Sequence, residues 1–347
     1  MNNSIFKDFK KSIEPLKLNK LTKKKMLITG GTGWFGKWLL QTIIYLNKNH
    51  NFKISAYIPT RSVEKFKNEY PEIYYHDFLN FFNYDVNSST LDCEKCDFII
   101  HSAVSADSKL YKEQPLLISD TIVNGTKNIL DFAVKNNPEK FLFISSGAVY
   151  GKQPYDMSNI PESYINCKMD ILNPLNVYHE AKRYAEQLCA IYIKQFGLNI
   201  TIARPFTFFG PYQNLDTPFA ITDFIKNCIA GQDIEILSDG STVRSYMYAA
   251  DLPMWLFKIL LDGKVNEAYN IGSNASITIK DLAENIVKLF NPKLKVVIKG
   301  EKISKEKVNI YVPAINKAIN ELGLRLSFNF EKGLKRTYEW YKSFLVI

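Results

Sequence analysis

The segment Met26-Leu-Ile-Thr-Gly30-Gly31-Thr-Gly33-Trp-Phe-Gly36 is the most informative part of this chain. A short apolar run ends in spaced glycines, and an apolar pattern of helical spacing begins directly afterwards at Trp38. This order predicts a buried strand, a tight turn and a helix whose free N–H groups can face a pyrophosphate, because glycine permits the turn and the close approach of phosphates. The residues expected to contact a dinucleotide here are Thr29, Gly30, Gly31, Thr32, Gly33, Trp34, Phe35 and Gly36.

Length and composition limit the class of protein. The chain has 347 residues, 46% of them hydrophobic, and no apolar run approaches the roughly 20 residues that span a bilayer. Its N-terminus lacks the apolar core of a secretory signal, and its five cysteines form no disulfide framework, so we expect a globular cytoplasmic protein without membrane insertion. Cys93 and Cys96 form an isolated CxxC without a second ligand pair, which we interpret as two incidental thiols and not as a metal site.

The charge balance is basic, with 44 lysines and arginines against 35 acidic residues and a formal net charge of +9. The lysines are scattered apart from the run at 23–25, and no basic stripe with interleaved aromatic residues is present. We therefore expect no nucleic-acid partner. The excess charge is interpreted as solvated surface that can also attract an anionic substrate.

Strand-like and helix-like segments alternate after residue 26, which predicts an α/β fold with a Rossmann-type, doubly wound parallel sheet. Beyond Pro205 the pattern loosens and indicates a smaller, partly interleaved C-terminal substrate lobe. The expected organisation is an N-terminal extension at 1–25 with a short helix, a dinucleotide-binding domain at 26–204 to which 243–272 returns, and a lobe made of 205–242 and 273–347. The expected strands are 53–58, 97–101, 141–146 and 199–203, and the expected helices are 118–135, 177–196, 220–230 and 253–262.

Tyr178 and Lys182 lie four residues apart in a predicted helix, so both project from one helical face. An ammonium beside a phenol favours the phenolate and lets the tyrosine exchange a proton near neutral pH. Such a pair is also common on helix surfaces, but Ser146 ends a strand about thirty residues earlier, at the sheet edge where ligands of these folds bind. Taken alone the pair would be interpreted as a surface pair, and together with Ser146 it forms a candidate site.

This combination resembles the extended short-chain dehydrogenase/reductase family, which includes nucleotide-sugar epimerases, dehydratases and reductases. The resemblance runs from about residue 26 to at least residue 290 and includes the glycine loop and the Tyr-xxx-Lys pair. The other matching segments are Ser145-Ser-Gly-Ala-Val-Tyr-Gly151, Ala203-Arg-Pro-Phe-Thr-Phe-Phe-Gly-Pro211, Asp239-Gly-Ser-Thr-Val-Arg-Ser-Tyr-Met-Tyr-Ala-Ala-Asp251 and Tyr269-Asn-Ile-Gly272.

The resemblance implies a role for each matched residue. Tyr178 would be the general acid and base, Lys182 would bind the nicotinamide ribose and lower the pKa of the tyrosine, and Ser146 would hydrogen-bond the reacting hydroxyl or carbonyl. Arg244 would contact the diphosphate of a nucleotide sugar, since a guanidinium matches phosphate oxygens. A surface ion pair is the alternative for this arginine. Together with Ser146 and Arg244, Thr207 is expected to bind substrate, although many members carry asparagine at its position.

Two further departures from the family pattern narrow the expected reaction. The 4,6-dehydratases carry an Asp-Glu pair directly after the catalytic hydroxyl residue, and this chain has Gly147 and Ala148 there. Neither residue can move protons, so dehydration is not expected. In the Asn-x-x-Gly-Thr helix pattern the asparagine position is Ile122, with Asn124 on another face, so an asparagine-mediated role is not expected either.

The cofactor preference depends on the end of the second strand, where NAD-preferring members offer an acidic residue to the adenosine ribose. This chain has Arg61 between Thr60 and Ser62, which suits a 2′-phosphate, although a loop arginine is often only solvated. NADP(H) is therefore the preferred cofactor, and NAD(H) is possible. The remaining expected cofactor contacts are Asp85, Val86, Ser102, Ala103, Val104, Tyr178, Lys182 and Pro205.

These observations favour an NADPH-dependent reductase of a 4-keto-6-deoxy nucleoside-diphosphate sugar, of the kind that supplies deoxysugars for surface polysaccharides. An NAD-dependent C4 epimerase is the main alternative, a 4,6-dehydratase is disfavoured, and a catalytically silent NADP-binding scaffold is the non-enzymatic alternative. The family often dimerises through two helices per subunit. A homodimer through 118–135 and 177–196 is therefore expected, without a defined surface.

Overall fold

The computed structural model describes residues 2–13, 16–88, 90–103 and 112–345, and the fold is given for these residues. The strands of the main sheet alternate with helices along the chain, as the sequence predicts. They are β1 (Lys25–Thr29), β2 (Ser55–Thr60), β3 (Leu79–Asn83), β4 (Phe98–His101), β5 (Lys140–Ile144), β6 (Ile200–Pro205) and β11 (Ala268–Ile271). All neighbours are parallel, and the described strands lie in the order β11-β6-β5-β4-β1-β2-β3.

This order confirms the Rossmann-type α/β prediction. The strand order reverses direction between β1 and β4, and the carboxyl ends of these two strands therefore border the crevice in which ligands of such sheets bind. Successive side chains of β1 point to opposite faces, so Met26 and Ile28 enter one hydrophobic core and Leu27 enters the other. Helices are required on both faces because both are apolar.

Helices cover both faces of the main sheet. The core beneath Leu27 is closed by α5 (Pro115–Asn136) and α6 (Val177–Phe196), and α6 has the predicted bounds. The opposite core is closed by α2 (Trp34–His50) and α8 (Leu252–Asp262). The short helices α3 (Val63–Glu69) and α4 (Pro71–Tyr74) lie between β2 and β3. None of the described helices is both long and apolar enough to cross a membrane.

The C-terminal half adds smaller sheets that form a second lobe. β7 (Phe208–Phe209) pairs with β10 (Met247–Tyr248), and β8 (Ile234–Ile236) pairs with β13 (Val296–Ile298). A further sheet has β9 (Val243–Ser245) between β12 (Ser276–Thr278) and β14 (Ile310–Tyr311). The helices of this half are α7 (Ala220–Ile229), α9 (Ile279–Phe290), α10 (Asn316–Leu322) and α11 (Phe330–Leu345).

The segment 243–272 divides between the two regions. β11 extends the main sheet beside β6, whereas β9 lies in the three-stranded sheet of the smaller lobe. We expected the whole segment 243–272 to belong to the first domain, but its first residues, β9, belong to the sheet of the smaller lobe. The cause is backbone pairing, since the N–H and C=O groups of β9 are satisfied by β12 and β14.

The N-terminal extension forms the helix α1 (Asn2–Ile13), which packs on the main domain. The Phe9 ring contacts Trp38 of α2 edge to face, with ring centroids 5.9 Å apart. The buried Asp8 carboxylate accepts a hydrogen bond from the Tyr248 hydroxyl at 2.9 Å and lies 3.3 Å from the Arg336 guanidinium. This helix therefore connects α2, β10 and α11.

Candidate active site

The turn between β1 and α2 requires glycine at two positions. Gly30 has a φ of +69°, and a Cβ there would lie 2.6 Å from the Ser102 carbonyl oxygen. A Cβ on Gly36 would lie 2.2 Å from the Gly31 carbonyl oxygen, so the first turn of α2 approaches this close only with glycine. The N-terminus of α2, which follows Gly33, carries N–H groups without intrahelical partners. The cradle therefore fits a pyrophosphate.

A cavity of about 810 Å³ opens at the carboxyl ends of the main strands and extends to the smaller lobe. This size and position are typical of a small-molecule site. The cavity brings together most of the residues singled out in the sequence. Those that line it are Gly30, Thr32, Gly33, Trp34, Phe35, Arg61, Asp85, Val86, Ser102, Ala103, Ser146, Tyr178, Lys182, Pro205, Thr207 and Arg244.

Three of the expected cofactor contacts do not line the cavity. The Thr29 hydroxyl lies 2.7 Å from Nδ1 of buried His101, whose Nε2 lies 3.1 Å from Thr126 Oγ1. Burial lowers the pKa of His101 to about 3, so this ring is neutral. A Cβ on Gly31 would lie 2.8 Å from the Ile58 side chain, and Gly36 packs against Gly31. The turn is therefore supported, on the side away from the cavity, by Thr29, Gly31 and Gly36. Val104, also an expected cofactor contact, lies outside the described residues.

Tyr178 and Ser146 meet in the cavity wall, while Lys182 faces the strand beneath them. The Tyr178 phenol hydrogen-bonds with Ser146, which lowers its pKa, but burial is the larger effect and raises it. The Lys182 ammonium donates to the Ile144 carbonyl oxygen at 2.8 Å, and burial lowers its pKa to about 8. The pKa of Tyr178 is therefore raised overall, in contrast to the expected lowering by Lys182, because burial outweighs the effect of Ser146.

A second phenol, Tyr311 of β14, lies on the other side of Ser146 and was not expected from the sequence. Its side chain is half-buried and lines the cavity, and burial raises its pKa. A Cβ on Gly147 would lie 2.6 Å from both the Tyr311 hydroxyl oxygen and the Phe206 ring. The position at which dehydratases carry an aspartate is therefore closed by Phe206 and Tyr311, while Ala148 lines the cavity.

Arg244 of β9 is the basic group at the lobe side of the cavity. Its guanidinium donates to the carbonyl oxygens of Val243 and Asn309 at 2.9 and 3.1 Å. In the described part of the chain no carboxylate lies within ion-pairing distance of it, so the surface ion pair considered above is not formed. Burial lowers the pKa of Arg244. An unneutralised, half-buried cation of this kind suits a diphosphate.

The adenosine end of the cavity is formed by the loops after β2 and β3. The Thr32 and Thr60 hydroxyls lie 3.2 Å apart, and the neighbouring Arg61 side chain is exposed. The second loop is held by Asn128 of α5, whose amide donates to the Val86 and Ser88 carbonyl oxygens at 2.9 Å each. Asn128 was not predicted. Asn124, by contrast, is exposed and donates to Asp120, as its displaced position predicts.

Other cavity residues were assigned no role in the sequence analysis, because they lie either outside the matched segments or at positions within them to which the resemblance gives no role. His179 follows Tyr178, and the Ser145 hydroxyl is buried in the wall without a partner among the described residues. Further unpredicted lining residues are Pro59, Tyr84, Asn87, Leu117, Thr121, Gln213, Phe219, Thr242, Tyr246 and Tyr311.

Comparisons with known proteins agree with this geometry. The model of the NAD dependent epimerase/dehydratase family matches residues 26–272. UDP-glucuronic acid decarboxylase 3 of Arabidopsis thaliana is 31% identical over 328 residues, covering 93% of this chain and 91% of that protein.

Solved structures share the fold. UDP-glucose 4-epimerase of Thermotoga maritima, solved with UDP-glucose, has a TM-score of 0.78 at 22% identity and covers 92% of this chain and 99% of its own. The dTDP-glucose 4,6-dehydratase of Bacillus anthracis, in complex with NAD, has a TM-score of 0.75 at 21% identity and covers 93% and 98%.

Proposed function

The chain belongs to the NAD-dependent epimerase/dehydratase family and is an enzyme of the extended short-chain dehydrogenase/reductase type, and we propose that it reduces the 4-keto group of a 6-deoxy nucleoside-diphosphate sugar with NADPH. One observation carries the proposal. The hydroxyl pair of Ser146 and Tyr178 is assembled, whereas Gly147 and Ala148 provide no acid and base for eliminating water, and the Gly147 site has no room for a side chain.

The chemistry assigned to the residues is a balanced carbonyl reduction. A bound dihydronicotinamide supplies the hydride. Ser146 donates a hydrogen bond to the carbonyl oxygen, and Tyr178 transfers its proton to the same oxygen as the alkoxide forms. Arg244, which lines the same cavity, would hold the diphosphate and so position the sugar for the two hydroxyl groups.

A redox-neutral reaction is the second candidate, favoured by the 31% identity to a UDP-glucuronic acid decarboxylase. Oxidation at C4 of a nucleotide uronate produces a β-keto acid, which loses CO₂ without a dedicated acid–base pair. The missing carboxylates at Gly147 and Ala148 are therefore compatible with decarboxylation as well as with C4 epimerisation. Tyr178 would then act first as base and afterwards as acid.

The test is turnover by the purified protein with each class of substrate. NADPH oxidation on a 4-keto-6-deoxy nucleotide sugar supports the reductase, and Tyr178→Phe should abolish it while leaving cofactor affinity unchanged. Stoichiometric co-purified NAD, with conversion of UDP-glucuronic acid or UDP-glucose and no NADPH consumption, would overturn it. Formation of a 4-keto product from a nucleotide hexose would identify a dehydratase instead. Binding without any turnover would favour the silent scaffold.

The preference for NADP(H) is part of this proposal and rests on Arg61. No acidic residue ends β2, and in the described residues Arg61 forms no ion pair that would compete with a 2′-phosphate. Arg61→Ala should weaken NADPH binding by about tenfold, the loss of one charge-assisted hydrogen bond, and leave NADH binding unchanged. Equal weakening of both cofactors by isothermal titration would refute the preference.

We also propose a homodimer through α5 and α6. These helices expose Leu116, Tyr184 and Ile191, although both already pack on the sheet. A second copy of the same face can cover them with two-fold symmetry. Sedimentation velocity should show a dimer that Ile191→Lys dissociates. A monomeric wild-type protein would refute this interface.

A further inference from the structure

The N-terminal half of α2 holds a segment of the smaller lobe in place. The indole Nε1 of Trp34 donates to the Pro211 carbonyl oxygen at 2.8 Å, and the indole Nε1 of Trp38 donates to the same oxygen at 3.3 Å. Further along the helix, the Gln41 amide donates to the Tyr212 hydroxyl at 2.9 Å. Residues 34, 38 and 41 share one helical face, so one side of α2 determines where residues 211 and 212 lie.

The backbone of this segment depends on contacts from outside it. Tyr212 has a φ of +65°, which a residue with a large side chain adopts only where its surroundings stabilise it. On α11, the Tyr341 hydroxyl lies within hydrogen-bonding distance of the carbonyl oxygens of Gly210 and Gln213. The segment 210–213 is therefore held by α2 and α11 together.

The helix that holds this segment also carries the cofactor turn. α2 begins at Trp34, directly after Gly33, and its first N–H groups are those expected to face a pyrophosphate. Trp34 itself lines the cavity, and so do Gln213 and Phe219 at the two ends of the wall segment 213–219. The Trp34 side chain thus joins the element that would hold the cofactor to the wall on the side of the smaller lobe.

We propose that Trp34 is a positioning residue that couples cofactor binding to binding of the nucleotide sugar. A pyrophosphate on the N–H groups of α2 restrains the first turn of the helix, and the Trp34 indole then restrains the Pro211 carbonyl and the wall segment after it. A second ligand meets a wall that is already ordered, so less conformational entropy is lost and it binds more tightly. By linkage, each ligand has the same effect on the affinity of the other. The inference rests on the proposed function only in taking the cavity to hold a dinucleotide and a nucleoside diphosphate together.

The first test measures the affinities for UDP and dTDP by isothermal titration, with the protein alone and with the protein saturated with NADPH or NAD. In the wild type, saturation with the cofactor should lower the Kd of the diphosphate about fivefold, which corresponds to one neutral hydrogen bond. Trp34→Phe keeps an aromatic ring beside Phe35 and removes the indole donor, so the ratio of the two Kd values should fall to about one. Without cofactor, the variant and the wild type should bind the diphosphate within about twofold of each other.

The matched control is Trp255→Phe. The Trp255 indole donates to the Arg325 carbonyl oxygen at 3.3 Å and is not among the groups that line the active-site cavity. This variant loses a comparable hydrogen bond and should keep the fivefold ratio. An unchanged ratio in Trp34→Phe would overturn the proposal, and so would a wild type whose affinity for both diphosphates ignores the cofactor. Equal weakening with and without cofactor would also overturn it, since the indole would then contact the diphosphate directly.

A second measurement separates this inference from the proposed function. Hydrogen–deuterium exchange is followed by mass spectrometry in the turn 30–36 and in the wall segment 213–219. The cofactor should slow exchange of the turn in both proteins, but should slow exchange of the wall segment in the wild type and not in Trp34→Phe. If the wild type shows this coupling and reduces no 4-keto sugar, the proposed reaction fails and the role of Trp34 stands. Exchange in the wall segment that does not respond to the cofactor refutes the role of Trp34, whatever the reaction.

Discussion

Gly36→Ala tests whether the close approach of α2 to the turn controls both stability and cofactor binding. The added Cβ would lie 2.2 Å from the Gly31 carbonyl oxygen and 2.3 Å from its carbon. Ordinary contact begins at about 3.5 Å, so the helix must withdraw by about 1 Å. Since the obstacle is backbone and cannot rotate away, we expect a cost near the upper end of overpacking, about 3 kcal/mol.

The same displacement moves the N–H groups that face the pyrophosphate. Loss of one charge-assisted hydrogen bond, about 1.5–3 kcal/mol, weakens cofactor binding roughly 10- to 100-fold. The assays are urea unfolding followed by circular dichroism and isothermal titration with NADPH. The matched control is Gly197→Ala at the end of α6, where φ is +71° and no atom lies within 4 Å of the added Cβ.

Gly197→Ala should lower the free energy of unfolding by about 1–2 kcal/mol, the strain of a left-handed alanine, without affecting the cofactor. If Gly36→Ala binds NADPH as tightly as Gly197→Ala does, the backbone cradle is not the pyrophosphate site. If its stability is unchanged, the helix and the turn are less tightly packed than described.

Burial lowers the pKa of Lys182 from 10.5 to about 8, so between these pH values the unfolded chain binds more protons than the folded chain, and the free energy of unfolding rises with pH. Lys182→Met should remove that rise in urea titrations and increase the free energy of unfolding at pH 7 by about 2–3 kcal/mol, while abolishing turnover. Glu186→Leu should lower the free energy of unfolding by about 3–5 kcal/mol, because it leaves the largely buried Arg204 without the carboxylate that it contacts at 2.6 and 2.9 Å. Adding Arg204→Met to this variant should restore most of the lost stability. The double substitution Gly147→Asp, Ala148→Glu should lower the free energy of unfolding by about 1–3 kcal/mol and yield no dehydrated product by mass spectrometry. A dehydrated product would contradict the conclusion that position 147 has no room for a side chain.

The parts of the fold that could be predicted are those coded by neighbouring residues. The glycine turn has a local sequence pattern because it needs a positive φ and close approach within a few residues, and α6 follows the helical period between Val177 and Phe196. Tyr178 and Lys182 are linked by one helical turn, so their shared face needs no tertiary information.

The sequence could not separate glycines that face a ligand from glycines that support the turn. Gly31 and Gly36 lie in the same glycine-rich turn as Gly30, but the atoms around them belong to Ile58 of the next strand and to the backbone where α2 meets the turn. Tyr311 was missed for the related reason that its strand is brought to Ser146 by pairing with β9, across more than a hundred residues of chain. Nothing near Tyr311 in sequence indicates that contact.

The helix α1 implies that the unit that folds is larger than the unit that the family defines. The family match starts at residue 26, yet the rings of Phe6 and Phe9 lie against Tyr45 and Trp38 at centroid distances of 5.3 and 5.9 Å. A shortened chain starting at residue 26 would expose these aromatic surfaces to water. A fragment truncated at residue 26 would therefore be prone to aggregation, and a fragment for expression should retain α1 from residue 2.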